Sequence, residues 1–310
     1  MSPRLGSVPG LLFAVGSAAS FPLAGIFAST LMDAGWTAGS TATVRIVFSA
    51  LVLIAPTAVM LRNSWHLVRK AWRAVLLFSL LAVAGPQLAL FYAVRFIPPS
   101  LAVLIAFMGP VMLMLWGWAR TRVRPGTITL LGAALAVAGL VTVSGVGGDG
   151  GLHPLGLLFA LIAAVGTAAY YATGAKTDHG IPSLPFVGLG LAVASVALIT
   201  ASATGLLPFA LSGEAGVLAG RRFSPWLIAA AMVLISTVLA YLMGVTASRS
   251  LGATVASFVG YLEPLFGILW TIVLLAVLPT TMQWFGAALI IAGVVTVKLG
   301  ELRPASHRSS

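Results

Sequence analysis

Arg95 and Arg249 are separated by 154 residues, and the same step carries Pro110 onto Pro264, Trp116 onto Trp270 and Pro125 onto Pro279. Gly132-Ala-Ala-Leu135 recurs as Gly286-Ala-Ala-Leu289, Ala138-Gly139 as Ala292-Gly293, and Val141-Thr-Val143 as Val295-Thr-Val297. In a chain of 310 residues this spacing means one unit written twice. Self-similarity over half of an apolar chain points to a membrane transport fold, in which two copies frame a shared site.

The charge content identifies the solvent of such a fold. Only 7% of the residues are charged and 60% are hydrophobic, where a water-soluble domain carries about 25% charged residues. Ten apolar runs, each about 20 residues long, suit a hydrocarbon core of about 30 Å. They cover 9–31, 40–61, 74–95, 98–118, 127–146, 155–175, 184–206, 226–247, 253–276 and 280–298. A β-barrel would show short alternating segments instead, so the expected fold is all-α and integral to the membrane, with ten transmembrane helices. The first run, preceded by Arg4, exceeds the apolar core of a signal peptide and is read as a retained helix.

Orientation follows from the basic residues. With the N-terminus inside, the inner segments hold Arg4, Arg62, Arg69, Lys70, Arg73, Arg120, Arg122, Arg124, Lys176, Arg249, Lys298, Arg303 and Arg308. The outer segments hold only Arg95, Arg221 and Arg222, and Arg45 lies within a span. This bias predicts a multi-pass inner-membrane protein with both termini in the cytoplasm. Asp33, Asp149 and Glu214 fall outside, in agreement, while Arg221-Arg222 in the 207–225 connection run against the rule. Five spans per half is an odd number, so the second copy enters the membrane inverted. The repeats are expected at 1–150 and 151–303, joined by the flexible Gly147-Gly-Asp-Gly-Gly151 stretch and followed by a short tail at 304–310. The net charge of +11 is then a product of topology. Aromatic residues do not interleave with the basic tracts in the manner of a base-stacking platform, so no nucleic-acid partner is expected.

Cysteine is absent and the four histidines, His66, His153, His179 and His307, are scattered, which leaves no expected metal, thiol or cofactor site. The informative polar residues lie inside the spans. Glu263 falls about ten residues into the ninth helix, near the bilayer centre, where a carboxylate costs about 2.5–3.5 kcal/mol unless a partner, a wet cavity or a proton relieves it. It reads as a proton- or amine-binding group, against a bland role as a hydrogen-bonded helix tie. Its repeat mate is Gly109. Arg45, early in the second helix, either snorkels to the outer interface or faces inward to hold a substrate carboxylate or to pair with Glu263. Its mate at the shifted register of the first helices is the uncharged Leu191.

Pro86, Pro110 and Pro264 interrupt helices three, four and nine and are expected hinge or cavity elements, since each removes an amide donor and frees a carbonyl. Gln87, Tyr92, Tyr170, Tyr171 and Tyr241 offer polar groups for a substrate path, with interfacial anchoring as the competing role of the tyrosines. Trp116 and Trp270 near helix ends are expected anchors. The small-residue stripes Gly132/Ala136/Gly139 and Gly286/Gly293 read as close helix contacts.

Several stretches resemble one family. Tyr261-Leu-Glu-Pro-Leu-Phe266 followed by Gln283-Trp-Phe-Gly-Ala-Ala-Leu-Ile-Ile-Ala-Gly293 is similar to the end of the EamA repeat of the drug/metabolite transporter (DMT) superfamily. Phe107-Met-Gly-Pro110 with Leu131-Gly-Ala-Ala-Leu-Ala-Val-Ala-Gly139 resembles the same motif in the first copy, and Thr43-Val-Arg45 resembles the family's second-helix arginine. Gly166-Thr-Ala-Ala-Tyr-Tyr171 through Gly174-Ala-Lys176, with His179-Gly180, is similar to bacterial threonine/homoserine exporters. One departure is plain: where many members carry a Gly-Glu pair, this chain has approximately Arg122-Val123 and Ala276-Val277, so any role of that pair does not carry over. The resemblance implies a secondary transporter exporting a small polar metabolite, such as threonine or homoserine, by alternating access. No Walker motif is present, so the energy is expected from a proton gradient. Implied partners are a small-molecule substrate, protons and the lipid bilayer, with monomer and homodimer both open. The rival readings are drug or nucleoside efflux and, from a different class, an intramembrane enzyme. The enzyme would need clustered His, Asp or Ser in facing spans, where only Glu263 stands.

Overall fold

In the computed structural model the described residues are 7–144, 153–275 and 278–302. Arg4, the 147–151 joint with Asp149, Ala276-Val277, and the tail with Arg303, His307 and Arg308 lie outside them. Nine described helices are long and apolar enough to cross a bilayer: α1 Val8–Asp33, α2 Ala38–Leu61, α3 Trp65–Ala93, α4 Leu101–Thr121, α6 Pro154–Gly174, α7 Ser183–Ala203, α8 Pro225–Leu251, α9 Ala253–Leu274 and α10 Thr281–Gly300. The shorter apolar helix α5, Thr127–Ser144, completes ten. Helices satisfy every backbone amide within the segment, which the hydrocarbon demands. Apolar side chains such as Leu51, Ile54, Val196 and Val273 stand exposed on the outside of the bundle, where a soluble protein would bury them.

The chain forms two inverted five-helix repeats. α2 packs on its own mate α7, and α5 on its mate α10. α1 packs on α8 as α6 packs on α3, which is the exchange that a two-fold axis in the membrane plane requires. The α5–α10 contact is backbone against backbone. A methyl group added at Gly139 would lie 2.7 Å from the Gly286 carbonyl, and one at Gly293 would lie 2.7 Å from the Gly132 carbonyl. The two glycine stripes are therefore close helix contacts, as read from the sequence.

Five spans are interrupted near mid-depth. α1 winds as Ser7–Ser20 and resumes as Leu23–Asp33 after Pro22, a break the apolar pattern did not mark. α3 widens into a π turn at Phe78–Ala84 before Pro86, α4 restarts at Gly109 before Pro110, and α9 passes through a 3-10 turn at Gly260–Leu262 before Pro264. Each of these three prolines sits in the first turn after a break, where its missing N–H costs least. α8 has its own π turn at Leu234–Leu239, close to the repeat position of that in α3, although the two segments share little sequence. Pro56, by contrast, sits inside the unbroken α2.

Two boundaries differ from the sequence reading. α3 begins at Trp65 and not near 74, so Arg69, Lys70 and Arg73 ride on its first turns. A hydropathy run measures the hydrocarbon segment, while the helix continues into the interface. The 207–225 connection folds into an antiparallel hairpin, β1 Gly216–Leu218 and β2 Arg221–Phe223. The left-handed pair Ala219 (φ 52°) and Gly220 (φ 71°) turns it, and the Ala219 amide donates to the Leu274 carbonyl at 2.9 Å. Arg221 and Arg222 are exposed on this hairpin.

Candidate functional site

The start of α2 is held by a capping box: Thr37 accepts from the Ser40 amide, and the Ser40 side chain accepts from the Thr37 amide. Two turns further on, Arg45 faces a cavity of about 360 Å³. Thr41 and Gln87 are its other polar walls, and Met32, Phe91, Leu207 and Met232 line much of the remainder. These residues lie toward the ends of their helices opposite to the start of α1. The guanidinium Nε is buried without a hydrogen-bond partner. A buried cationic donor is costly to leave unpaired, and Nε has no partner among the described residues.

Glu263 lies elsewhere. It lines a second cavity of about 210 Å³ with Pro110, Thr167, Tyr171, Ser257 and Tyr261. The break before Glu263 turns its carboxyl inward: a methyl group on Gly260 would meet the Tyr171 hydroxyl and lie 3.8 Å from Glu263 Oε1. Arg45 and Glu263 do not pair, which corrects that alternative. They lie on separate cavities, and Leu90 of α3 contributes to both walls. Tyr241 stands between them, within electrostatic reach of each.

An aromatic wall closes the space beneath the Arg45 cavity. Tyr170 meets Tyr171 at 4.8 Å, Tyr241 at 5.6 Å and Phe21 and Phe78 at 6.0 Å between ring centroids. Phe78 reaches Phe186 at 4.9 Å. Edge-on contacts dominate, the arrangement that ring quadrupoles prefer. The wall continues to the opposite end of the bundle, where the Arg249 guanidinium lies 5.2 Å from the Phe186 ring. Arg249 Nε donates to the Gly174 carbonyl at 3.2 Å and Nη1 to the Ile181 carbonyl at 2.8 Å. His179, in the connection between α6 and α7, stacks on the other part of this cluster, 5.4 Å from Phe186. Its Nδ1 accepts from the Ile181 amide at 3.2 Å. Burial, aided by the neighbouring Arg249 charge, holds its imidazole below the ordinary histidine range.

The remaining expected residues divide. Gln87 shares the Arg45 cavity, and Tyr170 and Tyr241 form the wall. Tyr92 lines neither central cavity: its hydroxyl donates to the Leu206 carbonyl at 2.9 Å, and its ring stacks on Phe159 at 5.4 Å. Of the prolines only Pro110 borders a central cavity. Pro86 packs against Gly166, and Pro264 borders a separate space with Leu278 and Gln283. Trp116 is 65% exposed, in keeping with an interfacial anchor. Trp270 is not: its indole N–H donates to the Ala19 carbonyl at 2.7 Å, tying α9 to α1 at the Pro22 break. Phe21, Phe78, Thr167 and Ser257 were missed, because apolar and hydroxyl side chains in membrane spans carry no signal of their own.

Comparison with known proteins agrees with this architecture. A solved crystal structure, described only as that of a protein, superposes with a TM-score of 0.75 at 19% identity, covering 97% of this chain and 100% of that one. The uncharacterized inner membrane transporter YicL of Salmonella typhimurium is 25% identical over 268 residues, which is 84% of this chain and 85% of that protein. The model of the EamA-like transporter family matches twice, over residues 8–145 and 154–299. The ten helices, the duplication and this double match agree, and the chain belongs to the EamA-like transporter family of membrane transporters.

Proposed function

We propose that this transporter resides in an inner membrane with both termini in the cytoplasm, and exports a small carboxylate-bearing metabolite in exchange for protons. The repeats at 1–150 and 151–303 are its two moving halves. One observation carries the substrate reading: a buried, unpartnered arginine donor facing a cavity of about 360 Å³. Arg45 would hold the carboxylate in a fork that suits two oxygens, with Gln87 and Thr41 as secondary polar contacts. Glu263 would bind the proton in its separate cavity. It is neutral and easily accommodated when protonated, and costly when charged in a dry space. Tyr241, within electrostatic reach of both Arg45 and Glu263, would let a change in the Glu263 charge be felt at the substrate side.

An amino acid of the threonine or homoserine type is the substrate suggested by the sequence resemblance. The cavity lining favours a second reading within the same class. Ala28, Met32, Leu90, Phe91, Val94 and Met232 surround the three polar groups, and such walls suit a carboxylate whose other end is apolar. Flux into proteoliposomes decides between them, using hydroxyl, branched-chain and aromatic amino acids, nucleosides and sugars, with and without an imposed proton gradient. The proposal expects carboxylates to move and nucleosides and sugars not to. Transport of uncharged nucleosides at the same rate would overturn it.

A further inference from the structure

The two arginines that first reveal the repeat occupy equivalent places and do different things. Arg249 ends α8 at one mouth of the bundle and spans to the α6–α7 connection, taking the carbonyls of Gly174 and Ile181. Arg95 follows α3 at the other mouth and reaches nothing across the gap. It is exposed, and its guanidinium lies over two rings of its own helix, Phe91 at 4.5 Å and Tyr92 at 5.0 Å. The mouth beside Arg249 is shut by the aromatic wall. The mouth beside Arg95 is open, since Val94 and Met32, the residues preceding Arg95 and Asp33, both line the Arg45 cavity.

We propose that Arg249 and Arg95 are alternate latches, Arg249 holding the inner mouth shut in the state seen here and Arg95 holding the outer mouth shut in the opposite state. The two-fold relation of the repeats supplies the missing partner. Arg249 grips the turn between the first two helices of its repeat, so Arg95 grips the turn between α1 and α2. There, the Asp33 carboxylate and the carbonyls of 34–36 are the acceptors. Two details suit a bond that must break. Arg249 Nη2 is buried without a partner, so the latch is incompletely satisfied. Its ring contact is Phe186, which touches Phe78 of the wall, so releasing Arg249 also frees the wall beneath the substrate cavity. The Phe91 that carries Arg95 is itself a cavity wall.

The inference rests on alternating access and not on the substrate class, and the test uses no substrate. Because the chain has no cysteine, single cysteines report accessibility cleanly. Ala42→Cys lies in the Arg45 cavity. Ser248→Cys is fully buried beneath the Arg249 latch, facing Gly174. With both arginines present, Ala42→Cys should label quickly with a water-soluble maleimide and Ser248→Cys slowly. Arg249→Ala should slow the first and speed the second, each by about tenfold, as expected of a two-state population shift. Adding Arg95→Ala should move both rates back toward the parent. Should Arg249→Ala fail to insert, Phe186→Leu, which removes the ring beneath the guanidinium, is measured in its place. The proposal is overturned if Ser248→Cys speeds up while Ala42→Cys is unchanged, which is local fraying. It is also overturned if the second substitution reverses nothing.

Discussion

At the mouth beside Arg95 an open cavity of about 360 Å³ leads to Arg45, while at the mouth beside Arg249 the equivalent space is filled by Phe186, Ile181 and the Arg249 bonds. Both mouths derive from one ancestral unit. The backbone features recur in both halves: π turns in α3 and α8, and proline-led restarts in α4 and α9. The chemistry does not recur. The mate of Glu263 is Gly109, which packs tightly against Thr167 and Ala164, and the mate of Arg45 is the fully buried Leu191. Duplication supplied the same breaks twice, and the differences between the copies leave one buried arginine and one carboxyl in the interior.

The comparison breaks most readily at Arg45. If the Arg45 cavity is the substrate site, Arg45→Ala should lower the apparent affinity for a carboxylate substrate about 10- to 100-fold, the worth of charged hydrogen bonds of about 1.5–3 kcal/mol. Proteoliposome uptake across substrate concentrations measures it, and an unchanged KM in well-inserted protein would remove the Arg45 cavity from consideration. Glu263→Gln comes next. It keeps the shape of the neutral acid and removes titration, so gradient-driven accumulation should sink to the level of downhill exchange and lose its pH dependence. Retention of the parent's pH profile would reduce Glu263 to a helix tie.

A third test sharpens the claim that the halves meet along α5 and α10. Gly293→Val pushes a side chain into the backbone of Gly132 and Ala136 and should destabilise the protein by about 1–3 kcal/mol. Gly25→Ala meets open space and should change little. Thermal unfolding in detergent compares the two. The smallest effect belongs to His179 at the mouth beside Arg249. Its folded state disfavours the proton relative to the ordinary value of 6.5, so the unfolded chain binds more protons and stability rises with pH. Acidification through that value should lower the melting temperature, and His179→Gln should shrink the drop. An identical drop in both proteins would show that other groups cause it.

How much of this was legible follows from what a membrane sequence can signal. The helices were legible because hydrocarbon thickness imposes a run length, and the inversion because five crossings is an odd number. Arg45, Gln87 and Glu263 were legible because polar groups inside apolar runs are costly and stand out. Phe21, Phe78 and Phe186 were not, because in lipid an apolar side chain is equally at home facing the bilayer or the interior. Tyr92 was read as path-lining because a tyrosine advertises its hydroxyl and not its direction; the hydroxyl turns to Leu206. Trp270 read as an interfacial anchor until its position beside the Pro22 break supplied a carbonyl for its N–H. The separation of Arg45 from Glu263 depends on how α3 threads between them, which no local pattern encodes.

The glycine contact between α5 and α10 has a mechanical consequence. Helices that interlock through large side chains resist sliding and rolling alike, because each knob is caught in a socket. Where Gly132, Gly139, Gly286 and Gly293 bring two backbones together, the knobs are Val143, Ile290 and Val297, each set beside a glycine of the other helix. Such a crossing is stiff against pulling apart, because a gap there forfeits dispersion contacts along its length. It also resists sliding, because Val143, Ile290 and Val297 are seated in the hollows that the glycines leave. α5 and α10 thus form a tight seam between the two repeats, and any movement of one repeat against the other has to carry that seam along intact.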